Sequence, residues 1–172
     1  FSNSGGSGND YWTNNGDVSS CVASRRAVIA SPDVEYTDVA YANGYTCIAY
    51  TKLSYPELST YPTSVENLVF VKIVDQTTGA SVVDDTVFIA MGNSVKSVNV
   101  ISVGDYFVIV YSTSQNDIFF GRIKSTDPQN KSLWSYNHTV AYAGEWTGLG
   151  FFDSCPTVND KFAVVYAENV AP

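Results

Sequence analysis

Three times along this chain a strand, a two-residue turn and a second strand ending in tyrosine follow one another. Residues 38–50 read DVAYANGYTCIAY, residues 99–111 NVISVGDYFVIVY and residues 154–166 SCPTVNDKFAVVY. The turns fall at Asn43-Gly44, Gly104-Asp105 and Asn159-Asp160, residue types that reach positive φ at little steric cost. The closing tyrosines, Tyr50, Tyr111 and Tyr166, lie 61 and then 55 residues apart. A period this long in an all-β pattern predicts stacked or radially arranged sheets, most often the blades of a propeller.

The repeat extends beyond this motif. A short apolar strand ending in alanine precedes each copy: AVIA at 27–30, VFIA at 87–90 and VAYA at 140–143. A third strand follows the first two copies, in NLVFVKIVDQTTG (67–79) and NDIFFGRIKSTDP (116–128). Each reads apolar run, one basic residue (Lys72, Arg122), isoleucine (Ile73, Ile123) and polar turn. The unit is thus an outer strand, then a, b and c. Further short strands are expected at 82–83 and 133–136. The b strand YFVIVY is apolar throughout, as expected where both faces of a sheet are covered. No window carries helical periodicity over three turns.

The expected fold class is therefore all-β: antiparallel blade repeats forming a partial β-propeller, about three blades of a larger ring. The units run near 26–79, 80–135 and 136–172, the last incomplete because no c strand follows the third b strand. A closed propeller needs at least about four blades. A β-sandwich is the alternative. Residues 1–25 are expected to form an arm or linker, since the first 20 are rich in Gly, Ser and Asn, with Tyr11 and Trp12 as anchors. The segment 52–66 is an insertion between b and c of the first unit, a surface loop stiffened by Pro56 and Pro62. Residue 1 is Phe, so the start is expected to be processed, excised or not the start of the gene.

Charge and residue counts work mainly by exclusion. Seventeen Asp and Glu against nine Lys and Arg give a net charge of −8, and Arg25-Arg26 is the one adjacent basic pair. No basic surface is present for nucleic-acid phosphates. No apolar run approaches the ~18 residues of a membrane span. Triad-type catalysis would have to use His138, the single histidine, which opens an outer strand without an adjacent nucleophile. The same count argues against an imidazole metal site. Asp84 and Asp85 are adjacent, so they point to opposite faces of a strand or sit in a turn, and Glu145 beside Trp146 is a single acid–aromatic pair. No calcium loop of DxDxDG type occurs. The chain is thus expected to be no enzyme, with no cofactor and no metal. Cys47 aligns with Val108 and Ala163, and Cys155 with Val39 and Val100, so these two are expected as buried core thiols; a disulfide pair plus one free thiol among Cys21, Cys47 and Cys155 is the alternative. Residues expected at a ligand or receptor contact are Trp146, Tyr142, Trp134, Tyr55 and Tyr61. The competing role for a strand tryptophan is to cap the core.

The block VGDYFVIVYSTSQNDIFFGRIKSTDP resembles the propeller-like repeats of bacteriophage tail proteins. It is most similar to those of nozzle (tail tubular) proteins and receptor-binding tail components of short-tailed phages. The shared core is Gly-Asp/Asn-Tyr, an alternating Val/Ile run closing on Tyr, then an apolar strand carrying Lys/Arg-Ile and a Thr/Asp/Pro turn. It covers 96–128 best and 26–170 in weaker form, and the hallmarks of WD40 and kelch repeats are absent. The resemblance implies a non-enzymatic structural or interaction component, in a virion tail or extracellular setting. Its partners would be other subunits of the assembly, the remainder of a longer chain, a host receptor or a cell-surface glycan. The alternatives are a lectin-like carbohydrate-binding module built on the aromatic residues above, and a fragment of a propeller glycosidase. A glycosidase would need carboxylates converging on a funnel, and Asp and Glu do not repeat at matching points here. An excised section exposes two inter-blade faces, at roughly 10 kcal/mol if several hundred Å² of apolar area are uncovered, so the segment is expected to need a covering partner.

Overall fold

Asn43 and Gly44 both take positive φ, 50° and 83°, the mirror-image turn whose twist matches that of the strands it joins. They connect β1 (Val34–Ala42) to β2 (Tyr45–Ser54), and β3 (Glu66–Asp75) and β4 (Ser81–Ile89) complete an antiparallel sheet in the order β1-β2-β3-β4. In the second sheet, β5 (Val95–Val103), β6 (Tyr106–Thr113), β7 (Ile118–Lys124) and β8 (Ser135–Ala141) repeat that order. A hairpin of β9 (Phe152–Pro156) and β10 (Phe162–Tyr166) follows. The computed structural model describes residues 34–54, 66–89, 95–115, 117–141 and 152–166, all within one unit, Ser31–Pro172. The chain is all-β, with antiparallel sheets stacked face to face in a sandwich-like arrangement. The described residues close no propeller ring.

The strand period of two decides which residues meet. On β6, Phe107, Ile109 and Tyr111 face the first sheet and join Cys47, Ala49, Val69 and Val71 in one core. The alternate residues Val108 and Val110, with Ile101 and Val103 of β5, pack on the other side against Phe152, Phe162 and Val164 of the hairpin. The second sheet is therefore the middle layer of three, which is why β6 is buried along nearly its whole length. Each fully buried Val, Ile or Phe contributes about 1.5–3 kcal/mol. On β5 the register shifts between Val95 and Ser97, and this bulge returns Val95 to the face of Val98 in the same core.

The first strands of successive sheets lie side by side, β1 next to β5 and β5 next to β9. At the far side Phe88 of β4 reaches over the second sheet, with its ring centroid 5.1 Å from Tyr136 and 5.8 Å from Trp134. Gly121 makes room for it, since a Cβ there would lie 2.7 Å from Phe88 Cζ and 2.5 Å from the Ser135 carbonyl oxygen.

Several expectations change in space. The outer strand that precedes each copy in sequence pairs with the sheet before it: 87–89 belongs to β4, hydrogen-bonded to β3, and 140–141 belongs to β8, hydrogen-bonded to β7. The two runs expected at 82–83 and 87–90 merge into β4. Of the strand expected at 133–136, Leu133 instead ends a 3₁₀ turn, Lys131–Leu133, and Ser135 and Tyr136 open β8. Lys72 and Arg122 do not occupy equivalent places. Lys72 pairs with Ile48 and Arg122 with Val108, one register step apart relative to Tyr45 and Tyr106, and one step reverses the face. The third turn is longer than Asn159-Asp160: Thr157 N–H donates to the Lys161 carbonyl at 2.8 Å around a five-residue loop. The extra length turns Ser154 inward and Cys155 outward, so Cys155 is exposed rather than a core thiol. Cys47 is fully buried, as expected. Cys21, the arm, the strand at 27–30 and most of the insertion lie outside the described residues.

Candidate functional site

Edge strands leave backbone groups without a ladder partner, and the inner edges of the three sheets are bridged by side chains. Asp38 of β1 accepts from Asn99 Nδ2 at 2.5 Å and from the Val100 backbone N–H at 2.8 Å. Asn99 Oδ1 in turn accepts from the Ser154 hydroxyl of β9. Ser102 Oγ donates to the Tyr41 carbonyl at 2.6 Å. Asp38, Asn99 and Ser154 are the first residues of the three sequence copies. The signal was thus present as a polar position recurring at the head of each motif, although nothing in one copy alone marks it. These bonds hold successive sheets in register and leave the carboxylate and amide occupied with each other.

A cleft of about 580 Å³ opens between the second sheet and the hairpin, beside the turns. Arg122 lies over the Tyr106 ring, 4.8 Å from its centroid, and Asp105 and Asp160 stand at the rim. Phe120 and Phe162 meet edge to face at 5.1 Å and form the apolar part of its wall. Asp160 crosses close above Gly104, where a Cβ would come 2.7 Å from its carboxylate oxygen. A flat, hydroxyl-rich molecule would find both hydrogen-bonding groups and apolar surface here. Among the described residues no group of three His, Cys, Asp or Glu could hold a metal ion.

Of the expected contact residues, Trp134 is 6% exposed, its Nε1–H donates to the Pro128 carbonyl at 3.0 Å, and its ring packs on Phe88. It caps the core and offers no free face for stacking. Trp146, Tyr142, Tyr55 and Tyr61 lie outside the described residues, as does Glu145. His138 is exposed on β8 and stacks on Phe120 at 4.9 Å. Asp84 pairs with Lys72 at 2.5 Å, and Asp85 accepts from Tyr50, so the adjacent carboxylates have separate structural partners.

Burial pushes the Cys47 thiol well above its usual range, with Asp38 adding to the effect. Burial also raises the Tyr50 phenol, helped by its bond to Asp85, and raises Tyr111 and Tyr136. All four hold their protons at neutral pH and supply no nucleophile.

The outer face of the first sheet is buried toward β3, at Phe70 and Val74, and open toward β1. Val39 and Tyr41 are 60% and 62% exposed there, and Val87 is exposed on β4. No helix among the described residues is long and apolar enough to cross a membrane. Comparison with known protein families, curated proteins and solved structures finds no match to this chain.

Proposed function

We propose that the chain is a non-enzymatic structural component of a larger assembly, of the virion-tail kind its sequence resembles, acting by burying sheet faces against neighbouring protein. One observation carries the reading. Val39 pairs with Ile48 on the open face of the first sheet, and their counterparts by register, Val100 and Ile109, are core residues between the two sheets. Val39 and Tyr41 leave the β1 side of that face open, where the matching side of the second sheet is core, and such an exposed apolar strip is a surface built for a neighbour. The bridging of Asp38, Asn99 and Ser154 agrees with a scaffold, because these polar groups fasten sheets together.

The test is site-specific photocrosslinking in the native source, with p-benzoylphenylalanine in place of Tyr41 and, as a control, of Thr77 on the exposed turn after β3. Protein adducts at position 41 and none at 77 are expected. Equal labelling at both, or none at either, overturns the reading.

The cleft favours a second reading, a carbohydrate-binding module. Arg122, Asp105 and Asp160 beside Tyr106 and Phe162 combine the charged and aromatic groups that recognise sugar rings. On that reading a glycan array gives hits that Arg122→Ala removes, and an array with no hits ends it.

A further inference from the structure

We propose that the open face of the first sheet docks onto the open face of the hairpin β9–β10 of a second copy, head to tail. This rests on the assembly reading above and names the partner. The chain makes the same contact twice within itself. Between the first and second sheets, Ala40, Cys47 and Ala49 pack against the face that carries Val100, Phe107 and Ile109. Between the second sheet and the hairpin, Ile101, Val108 and Val110 pack against Phe162 and Val164. Counting from the closing tyrosines, Cys47 and Ala49 match Val108 and Val110, and Ile109 matches Val164.

Part of one half of that interface is left over at each end of the described stack; on the first sheet it is the β1 strip at Val39 and Tyr41, while Tyr50, Leu68 and Phe70 on the same face are already buried. Val39 and Ile48 of the first sheet match the docking half, Val100 and Ile109. Ala163 and Val165 on the outward side of the hairpin match the receiving half, Val108 and Val110. Val165 is 71% exposed. The halves differ, so the contact is heterologous and generates a ring or a filament according to its rotation. The part of the first sheet that is open is the β1 side, and a two-stranded hairpin presents the matching inner strands.

The polar link extends in the same way. Asp153 pairs with Val165 as Asp38 pairs with Ala49 and Asn99 with Val110, so the three occupy one register position. In the internal contact Asp38 receives the Asn99 amide and the Val100 N–H. In the contact between copies Asp153 would receive the Val39 N–H, but Asp38 stands where Asn99 stood. Two carboxylates then meet, which weakens this joint relative to the internal ones. Asp153→Asn restores an amide there and keeps the Oδ1 that accepts from Ser154 N–H at 2.8 Å.

The test is sedimentation equilibrium of the 172-residue chain across micromolar concentrations. The wild type is expected to associate reversibly, and Asp153→Asn to associate about tenfold more tightly, the loss of roughly one charge-repulsion increment. Tyr41→Glu and Val165→Glu, both at exposed positions, each remove self-association, and their equimolar mixture forms a heterodimer and nothing larger. Far-UV circular dichroism matching the wild type shows that each variant is folded. Association that survives one of the two charge variants means isologous pairing and overturns the proposal. Monomers at every concentration for both wild type and Asp153→Asn also overturn it. A protein adduct at position 41 from a different polypeptide would then leave the assembly reading standing.

Discussion

Tyr50 of β2 donates its hydroxyl to Asp85 of β4 at 2.6 Å, reaching across β3, and Tyr111 of β6 donates to Asn137 of β8 at 2.8 Å in the same way. Both acceptors sit at positive φ, 35° and 58°, where the outer strand kinks. Each tyrosine also stacks on a phenylalanine of the third strand with centroids 5.8 Å apart, Phe70 in one sheet and Phe119 in the other. In the two four-stranded sheets the tyrosine that closes the b strand therefore ties three strands together. Tyr50→Phe and Tyr111→Phe should each cost about 1 kcal/mol, because the stack is kept and one hydrogen bond is lost. Asn137→Val should cost more, about 1–3 kcal/mol, since a β-branched residue resists positive φ. Urea unfolding compares the three, and an Asn137→Val no worse than Tyr111→Phe would deny the kink its role.

Alkaline pH should destabilise the protein in a defined window. Cys47, Tyr50, Tyr111 and Tyr136 all have folded-state values raised by burial. In the unfolded chain the thiol ionises near its ordinary 9.0 and the phenols near 10.0. Their contribution is thus fully present below about pH 9 and is lost as pH rises towards the folded values. The fall is at most about 1.4 kcal/mol per pH unit for each group. Urea midpoints should be level from about pH 7 to 9 and decline beyond. Cys47→Ala should delay the onset by about one pH unit, and an unchanged onset would assign the decline to other groups.

How much of this was readable in advance depended on whether a feature was local. The hairpin Asn43-Gly44 and the doubly covered strand YFVIVY follow from turn chemistry and apolar continuity, and both stand in the structure. What failed was register. Lys72 and Arg122 align in sequence yet fall on opposite faces, and Cys155 turns outward, because one residue in a turn reverses every side chain beyond it. The partners of Asp38, Asn99 and Arg122 come from strands or turns distant in sequence, so no single segment announces the inner-edge bridge or the cleft. The burial of Trp134 is set by Phe88, which arrives from the first sheet.

Gly121 should tolerate no side chain. Two obstacles flank its missing Cβ: the Ser135 carbonyl at 2.5 Å belongs to the paired strand, and Phe88 Cζ at 2.7 Å belongs to the facing sheet. Gly121→Ala must displace backbone, which costs about 1–3 kcal/mol. Phe88→Leu removes one obstacle but uncovers Trp134 and Tyr136, so the double variant Gly121→Ala/Phe88→Leu should regain only part of the loss. Thermal unfolding of the set decides it, and a Gly121→Ala protein as stable as wild type would show that the two sheets are less closely apposed.

Asp38 and Asn99 should be energetically coupled. Asp38→Ala strands the Val100 N–H and the Asn99 amide at the inner edge, and Asn99→Ala removes the donor to Asp38 together with the acceptor for Ser154. Each change alone should cost about 1–3 kcal/mol, because a half-satisfied polar pair is worse than none. The double variant should then cost less than the two together by about 0.5–3 kcal/mol, the range for residues in direct contact. Asp38→Asn keeps an acceptor and should lie near wild type. A double-mutant cycle in urea measures the coupling. Additive effects would mean that packing of Cys47, Ile109 and their neighbours holds the sheets in register without the polar bridge.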